Sequence, residues 1–109
     1  MIYLLEDDDN IRKLVLYAFG AQGMEVMGFS KPSEFWPQVD KEVPDLILLD
    51  IMLPEEDGME ILKKLRNRTD TKDVTVIMHD TYGKQKTVDA LADIIEHFNS
   101  INYELKRYE

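Results

Sequence analysis

Short apolar runs alternate along this chain with segments in which apolar residues recur every three or four positions. Two runs, Ile2–Leu5 and Leu46–Leu49, are apolar throughout, which predicts strands covered on both faces of a sheet. Met24–Phe29 and Val74–Met78 predict two further strands. Strands that alternate with helices through short polar loops indicate a parallel sheet with right-handed crossovers.

The first helical segment begins at Asp9 or Asn10, either of which is a plausible N-cap. We expect this helix to end between Gly20 and Gly23. Its apolar stripe has the spacing of an amphipathic helix and consists of Ile11, Leu14, Val15, Ala18 and Phe19.

Two shorter helical segments follow the second and third predicted strands. Ser33 is the expected cap of the first, with Pro37 in its first turn, where a missing amide hydrogen does least harm. The other begins at Gly58 and carries Ile61, Leu62 and Leu65 on one face.

The pattern changes after Gly83, because residues 84–108 contain neither proline nor glycine. Apolar positions recur there at spacings of three and four, as in a heptad seam with one inner asparagine: Val88, Leu91, Ile95, Phe98, Asn102 and Leu105. This segment is either an amphipathic helix on its own sheet or a long helix that pairs with another chain. A broken helix with an irregular fifth strand near residues 98–101 is the third interpretation.

Acidic residues follow two of the predicted strands directly. Glu6 to Asp9 come after the first strand, and Asp50 comes after the third. The carboxyl ends of parallel strands meet at one edge of a sheet, so we expect Glu6, Asp7 and Asp50 to form an acidic pocket there. Asp8 and Asp9 are expected to cap the following helix, where acidic residues are favoured.

Three carboxylates in one pocket repel each other and therefore require a cation. Oxygen ligands favour Mg²⁺ or Mn²⁺ over zinc, which would call for His or Cys that these strand ends are not expected to supply. A bound cation would allow Asp50 to attack a phosphorus atom as a nucleophile. This role requires Asp50 to be exposed enough to be modified.

Length and charge bound the remaining function classes. The 109 residues predict a single domain, and the net charge of −9 disfavours direct nucleic-acid binding. The chain has no cysteine, which fits a reducing compartment. Since no run approaches the roughly 18 apolar residues of a membrane span, we expect a cytoplasmic protein without membrane contact.

The chain resembles the receiver domains of bacterial two-component response regulators. The matching residues are YLLEDDDNIR at Tyr3–Arg12, PDLILLDIMLPEEDG at Pro44–Gly58 and the strand Val74–Met78. This resemblance covers about three quarters of the chain and implies a flavodoxin-like (CheY-like) doubly wound parallel α/β sheet of strand order 2-1-3-4-5.

The resemblance also implies a set of functional residues. Asp50 would be the phosphoacceptor for a histidine kinase or a phosphotransfer protein. Glu6, Asp7 and Asp50, with the backbone carbonyl of Met52, would hold Mg²⁺ (or Mn²⁺). Such a domain assists its own phosphorylation and dephosphorylation and is not a conventional enzyme.

The chain departs from the family at the end of the fourth strand, where receivers place a Ser or Thr. Counting from Asp50 puts Asp80 there, between His79 and Thr81. A shift of one residue would make Thr81 the switch hydroxyl. We expect His79 to be a loop residue, as a lone histidine at a strand end usually is; its alternative is a relay or metal role.

The second departure is the C-terminal quarter, where receivers carry a Lys-Pro pair on a fifth strand and then a fifth helix. No Lys-Pro follows Gly83, and the matching region reads SINYELKRY. We therefore expect strand order 2-1-3-4, with the last strand and helix missing or replaced by the helix of residues 84–108. A partner's helix would cover the exposed apolar surface, which favours a homodimer.

Two functions follow from these observations. The first is a receiver that accepts a phosphoryl group on Asp50 in a Mg²⁺-dependent phosphorelay. The alternative is a degenerate or truncated receiver that acts as a dimerisation or protein-interaction module independent of phosphorylation.

Overall fold

The computed structural model describes residues 1–79. The predicted helix of residues 84–108, the alternative fifth strand, Asp80 and Thr81 lie outside the described residues. The elements, in chain order, are β1 Ile2–Leu5, α1 Asp9–Ala21, β2 Val26–Phe29, α2 Pro32–Lys41, β3 Leu46–Asp50, α3 Gly58–Asn67 and β4 Thr75–His79.

The four strands form one parallel sheet of order β2-β1-β3-β4. This confirms the predicted flavodoxin-like parallel sheet and its strand order over the described part of the chain. β3 and β4 each extend to the polar residue that ends the run, Asp50 and His79. β2 begins at Val26, two residues later than predicted.

Helices cover both faces of the sheet, which explains why its central strands lack polar alternation. On one face, α1 inserts Ile11, Val15 and Phe19 against Leu4 and Leu48 of the central strands. On the other face, the buried residues of the central strands pack with those of α2 and α3: Tyr3, Leu5, Ile47, Leu49, Phe35, Val39, Ile61 and Leu65.

The helix starts differ from the prediction in two places. Asp8 is the N-cap of α1, because its carboxylate accepts hydrogen bonds from the backbone N–H groups of Asn10 at 2.9 Å and Ile11 at 3.0 Å. This confirms the capping role expected for Asp8, whereas the N-cap predicted at Asp9 or Asn10 was wrong. α2 has Lys31 as its N-cap, without a side-chain cap bond. Ser33 is therefore not its cap.

Pro37 lies inside α2 and not in its first turn, because the helix begins at Pro32. A proline at the first helical position is well tolerated, since its missing N–H has no partner within the helix. The prediction failed because it placed the start of this helix too late. Among residues 1–79, no helix is long and apolar enough to cross a membrane.

Tyr3 ties β1 to the end of α2. Its ring is fully buried and meets Phe29 and Phe35 edge to face, with ring centroids 5.3 and 6.3 Å away. Its hydroxyl donates a 2.6 Å hydrogen bond to the carbonyl of Glu42. The first strand is thereby fixed at its side chains as well as along its backbone.

Gly58 allows the chain after β3 to fold back onto the strand end. Its N–H donates to the carbonyl of Ile51 at 2.9 Å. A Cβ at this position would overlap the carbonyl oxygen of Asp50 and lie 2.8 Å from Ile51 Cα. The close approach of two backbone segments therefore requires glycine here.

We expect Gly58→Ala to lower the free energy of unfolding by about 1–3 kcal/mol, because backbone must move to admit the methyl group. Gly20→Ala is the matched control, since a Cβ there has nothing within 4 Å and lies on a helix. That control should gain about 0.5–1 kcal/mol. Urea unfolding measures both; equal stabilities for Gly58→Ala and wild type would contradict the close approach.

Candidate functional site

Three polar residues lie in a row at the carboxyl edge of the sheet. Asp50 ends β3 and His79 ends β4, and the two are register partners. Glu6 follows Leu5, the register partner of Leu49, so it occupies the matching position beside Asp50. All three side chains are buried, with exposed fractions of 0% for Glu6 and Asp50 and 6% for His79.

The alternation of side chains along a strand places this row on one face of the sheet. Glu6 and Asp50 lie two residues after Leu4 and Leu48, which pack against α1. Glu6 and His79, two strands apart, meet there: Glu6 Oε2 lies 2.8 Å from His79 Nε2. The row is therefore a single cluster on the α1 face.

Asp7 and Met52 complete the predicted set at the rim of this cluster. The Asp7 side chain is exposed, and its carboxyl is in hydrogen-bonding contact with that of Asp50. The backbone N–H of Met52 donates to Asp50 Oδ1 at 3.0 Å, while the Met52 side chain is 54% exposed. The structure thus brings all the predicted metal residues within reach of Asp50.

The environment of Asp50 strongly favours the protonated acid in the absence of a cation. Burial is the largest cause and the negative charge of Glu6 the second, and together they raise the pKa of Asp50 to about 8. Hydrogen bonding to the carboxyls of Glu6 and Asp7 acts in the same direction. The N–H of Met52 opposes the increase because it donates to the carboxylate.

The guanidinium of Arg12 contacts the turn that follows β1. Arg12 Nη1 donates to the backbone carbonyl of Glu6 at 2.9 Å, and Arg12 Nη2 pairs with Asp9. Its contacts fix the turn between β1 and α1. A divalent cation fits the donor set, because crowded and buried carboxylate oxygens are the ligands that such an ion stabilises.

The segment between β3 and α3 is attached to α2 by acidic side chains. Glu55 Oε1 accepts from the Ser33 hydroxyl at 3.0 Å, and Glu55 itself adopts a left-handed backbone with φ 67°. Glu56 accepts from Trp36 Nε1 at 2.7 Å and from Lys64 Nζ at 2.6 Å. These contacts fix the backbone segment that follows Asp50 in the chain.

Hydrogen bonding also sets the acidity of Glu56. Burial alone would raise the pKa of this carboxyl, but donation from Lys64 and Trp36 outweighs it and lowers the pKa below the ordinary value. Glu56 is therefore a charged anchor of the segment and not part of the acidic pocket.

His79 is the site residue that the sequence interpretation missed. It is not a loop residue, because it is the last residue of β4 and is buried beside Glu6. The expectation that the strand ends supply no histidine was therefore wrong. The available signal was its position directly after Val74–Met78, equivalent to that of Glu6 and Asp50 after their own strands.

The burial of Asp50 also differs from expectation. Its side chain has an exposed fraction of 0%, whereas a modifiable acceptor was expected to be accessible. β3 includes Asp50 as its last residue, and the turn at Gly58 folds back against that strand end. Access to its carboxylate therefore requires a local displacement at the rim.

Comparisons with known proteins agree with this architecture. Residues 2–97 match the model of the response regulator receiver domain family. The phosphate regulon transcriptional regulatory protein PhoB of Rhizobium meliloti is 32% identical over 84 residues, which are 77% of this chain and 37% of that protein. The alkaline phosphatase synthesis transcriptional regulatory protein PhoP of Bacillus subtilis is 37% identical over 67 residues, 62% of this chain and 28% of its own length.

Solved structures show the same fold. The N-terminal domain of a response regulator receiver protein from Methanoculleus marisnigri JR1 superposes with a TM-score of 0.67 at 27% identity, covering 71% of this chain and 63% of that one. The Mn(2+)-bound form of response regulator Rcp1 has a TM-score of 0.67 at 24% identity, covering 84% and 73%. The second likeness concerns the fold alone.

We expect Asp50→Asn to stabilise the protein in the presence of a chelator. Between the ordinary carboxyl pKa of 3.8 and the folded pKa of about 8, the folded state holds a proton that the unfolded state has released. Wild-type stability therefore falls as pH rises through this interval. The substitution should add about 1–3 kcal/mol at pH 7 and less at pH 5.

Urea unfolding at the two pH values measures this difference. Asp73→Asn is the matched control, because Asp73 is exposed and precedes β4 at the opposite edge of the sheet. It should keep the pH dependence of the wild type. An Asp50→Asn protein that is less stable than wild type at pH 7 would contradict the crowding of the carboxyls.

Proposed function

This chain belongs to the response regulator receiver domains, and we propose that it accepts a phosphoryl group on Asp50 in a reaction that depends on Mg²⁺. Receiver domains take this group from histidine kinases. The partner that we propose is therefore a sensor histidine kinase or a phosphotransfer protein.

The position of Asp50 carries this proposal. Its carboxyl lies at the end of a central strand, accepts a hydrogen bond from the Met52 N–H and contacts the carboxyls of Glu6 and Asp7. A buried carboxyl surrounded by other acids lowers the stability of the fold when it ionises. Ionisable groups in such environments are typical of functional sites. Acceptance of a phosphoryl group next to a cation is such a role.

The transfer forms one bond and breaks one bond. A carboxylate oxygen of Asp50 attacks the phosphorus of a phosphohistidine, the P–N bond breaks, and its electron pair returns to the imidazole that leaves. The product is an acyl phosphate on Asp50. Met52 N–H supports the reaction because it orients the carboxylate through Oδ1.

The groups that we propose for Mg²⁺ are the carboxylates of Glu6, Asp7 and Asp50 and the backbone carbonyl of Met52. Receiver domains bind a divalent metal at such an acidic pocket. When bound, the ion supplies positive charge that keeps the carboxylates ionised and neutralises the transferred oxygens. Response regulator Rcp1, which shares the fold, has been solved in a Mn(2+)-bound form.

The rim of the pocket must open for the reaction, since Asp50 has no exposed surface. The exposed groups at this rim are Asp7 and the side chain of Met52. The segment beyond them is fixed by Glu55 and Glu56. We therefore propose that the opening involves residues 51–54 and leaves these anchors in place.

The other expected properties remain proposals. We propose a cytoplasmic location and no direct contact with nucleic acid by this domain, on the basis of its net charge of −9 and its lack of cysteine. The relatives PhoB and PhoP are transcriptional regulatory proteins, and this chain spans only 37% and 28% of their lengths. DNA binding by a longer protein is therefore a separate question.

A phosphorylation-independent interaction module is the second candidate function. It is favoured by the full burial of Asp50 and by the contact of Glu6 with His79, both of which reduce access to the pocket. In this form the protein would act as a homodimer through residues 84–108, which lie outside the described part of the chain.

Phosphoryl acceptance is tested with acetyl phosphate and Mg²⁺, followed by intact-protein mass spectrometry. We expect one phosphoryl adduct on the wild type and none on Asp50→Asn, because the nucleophilic oxygen is replaced by an amide. Asp73→Asn, an exposed aspartate outside the pocket, should be labelled like the wild type. An adduct that persists in Asp50→Asn, or no adduct on any protein, would refute the proposed acceptor.

Dimerisation is tested by sedimentation equilibrium of the full 109-residue chain. We expect a dimer whose dissociation constant rises by about tenfold or more when Leu91 and Ile95 are both replaced by Asp, since charges at inner seam positions disfavour helix pairing. Replacing Asp89 and Asp93 by Asn is the control at positions outside the seam. A monomeric wild type at high concentration would contradict the homodimer.

A further inference from the structure

We propose that His79 gives the acidic pocket a nitrogen ligand, so that the pocket binds Zn²⁺ in preference to Mg²⁺. The inference concerns which divalent ion the pocket selects, and it rests on the metal site of the proposed function. The observations that carry it are the location of the imidazole, its distance to Glu6 and its polar contacts.

The imidazole lies inside the cluster of carboxylates. One ligand atom from each of Glu6, Asp50 and His79 can be chosen so that all three lie within 4.8 Å of one another. Zinc bonds to His nitrogen and to carboxylate oxygen are about 2.0–2.2 Å long, so ligand atoms in a tetrahedral site lie about 3.4 Å apart. Side-chain rotations that change these separations by up to about 1.4 Å would bring all three atoms to one ion.

The contact between His79 and Glu6 places one nitrogen and one oxygen ligand side by side. His79 Nε2 and Glu6 Oε2 are 2.8 Å apart, and two zinc bonds of about 2.1 Å at the tetrahedral angle would place their outer atoms about 3.4 Å apart. The pair therefore has to separate by about 0.6 Å for an ion to replace the hydrogen bond.

The remaining ring nitrogen shows that the polar contacts of His79 are directed into the pocket. Nδ1 is buried and has no hydrogen-bond partner among residues 1–79. The residue as a whole is only 6% exposed. The nitrogen that does have a polar contact is Nε2, which lies against Glu6.

The donor set therefore differs from a pocket made only of carboxylates and carbonyls. Oxygen ligands suit Mg²⁺, whereas imidazole favours Zn²⁺ and other divalent transition metals. Zinc sites commonly combine histidine with a carboxylate. Because the fourth strand adds one nitrogen to two carboxylates, the preference should change toward zinc.

The test compares metal affinities of the wild type and His79→Gln, whose amide keeps a hydrogen-bond donor for Glu6 but offers no imidazole. Zn²⁺ and Co²⁺ affinities are measured by calorimetry, and Mg²⁺ affinity by displacement of Co²⁺. We expect His79→Gln to bind Zn²⁺ and Co²⁺ about tenfold or more weakly, with a change in Mg²⁺ affinity below about threefold.

His97→Gln is the matched control, because His97 is the second of the two histidines in the sequence. It should keep the wild-type affinities. The proposal is overturned if His79→Gln keeps the wild-type preference for zinc over magnesium, if His97→Gln abolishes that preference instead, or if the wild type binds Mg²⁺ as tightly as Zn²⁺.

A measurement on the wild type makes the test independent of how well the variant folds. In long-range ¹H–¹⁵N spectra, one ring nitrogen of His79 should shift to the metal-bound region when Zn²⁺ is added. Unshifted His79 nitrogens in zinc-saturated protein would refute the ligand. Labelling of Asp50 by acetyl phosphate in Mg²⁺ would stand in that case, which separates this inference from the proposed function.

Discussion

The register of the parallel sheet is the constraint on which the site depends. It aligns the ends of β1, β3 and β4, so that Glu6, Asp50 and His79 occupy equivalent positions at one edge. The apolar residues before them are buried between two layers of helices. This packing fixes the strands and therefore the positions of the polar residues at their ends. A slip of one residue would move all three side chains to the opposite face. Core packing therefore determines the composition of the acidic pocket.

The loops at this edge are built to support that arrangement. Asp8 caps α1 directly after the acids of the first strand, and Asp57 caps α3 by accepting the N–H of Glu60 at 2.9 Å. Gly58 permits a backbone approach that no other residue would allow. Of the many acids in this region, some are helix caps or anchors and others form the pocket. Their different roles explain how one short edge of the sheet contains so many acidic residues. The acidic balance of this edge matches the net charge of −9 of the chain.

Local pattern predicted most of the fold and the acidic members of the site. Uninterrupted apolar runs identified the central strands, and the acids directly after them identified Glu6, Asp7 and Asp50. The same reasoning misjudged the start of α2, because this helix begins at Pro32 after an extended N-cap residue, Lys31, that makes no side-chain cap bond. It also assigned His79 to a loop, since a single histidine after a strand has no pattern of its own. Its position directly after the Val74–Met78 run was the overlooked signal, and its register with Asp50 places it in the pocket.

By itself, the sequence determined which segments are strands and helices and which carboxyl groups stand at the strand ends, because these follow from periodicity between neighbours along the chain. It also carried the motifs of the receiver family. The tertiary structure alone decided that Asp50 is buried, that its pKa rises to about 8 and that His79 lies 2.8 Å from Glu6. Burial, electrostatic crowding and contact across two strands depend on distances between residues up to 73 positions apart, and such distances exist only once the sheet has formed.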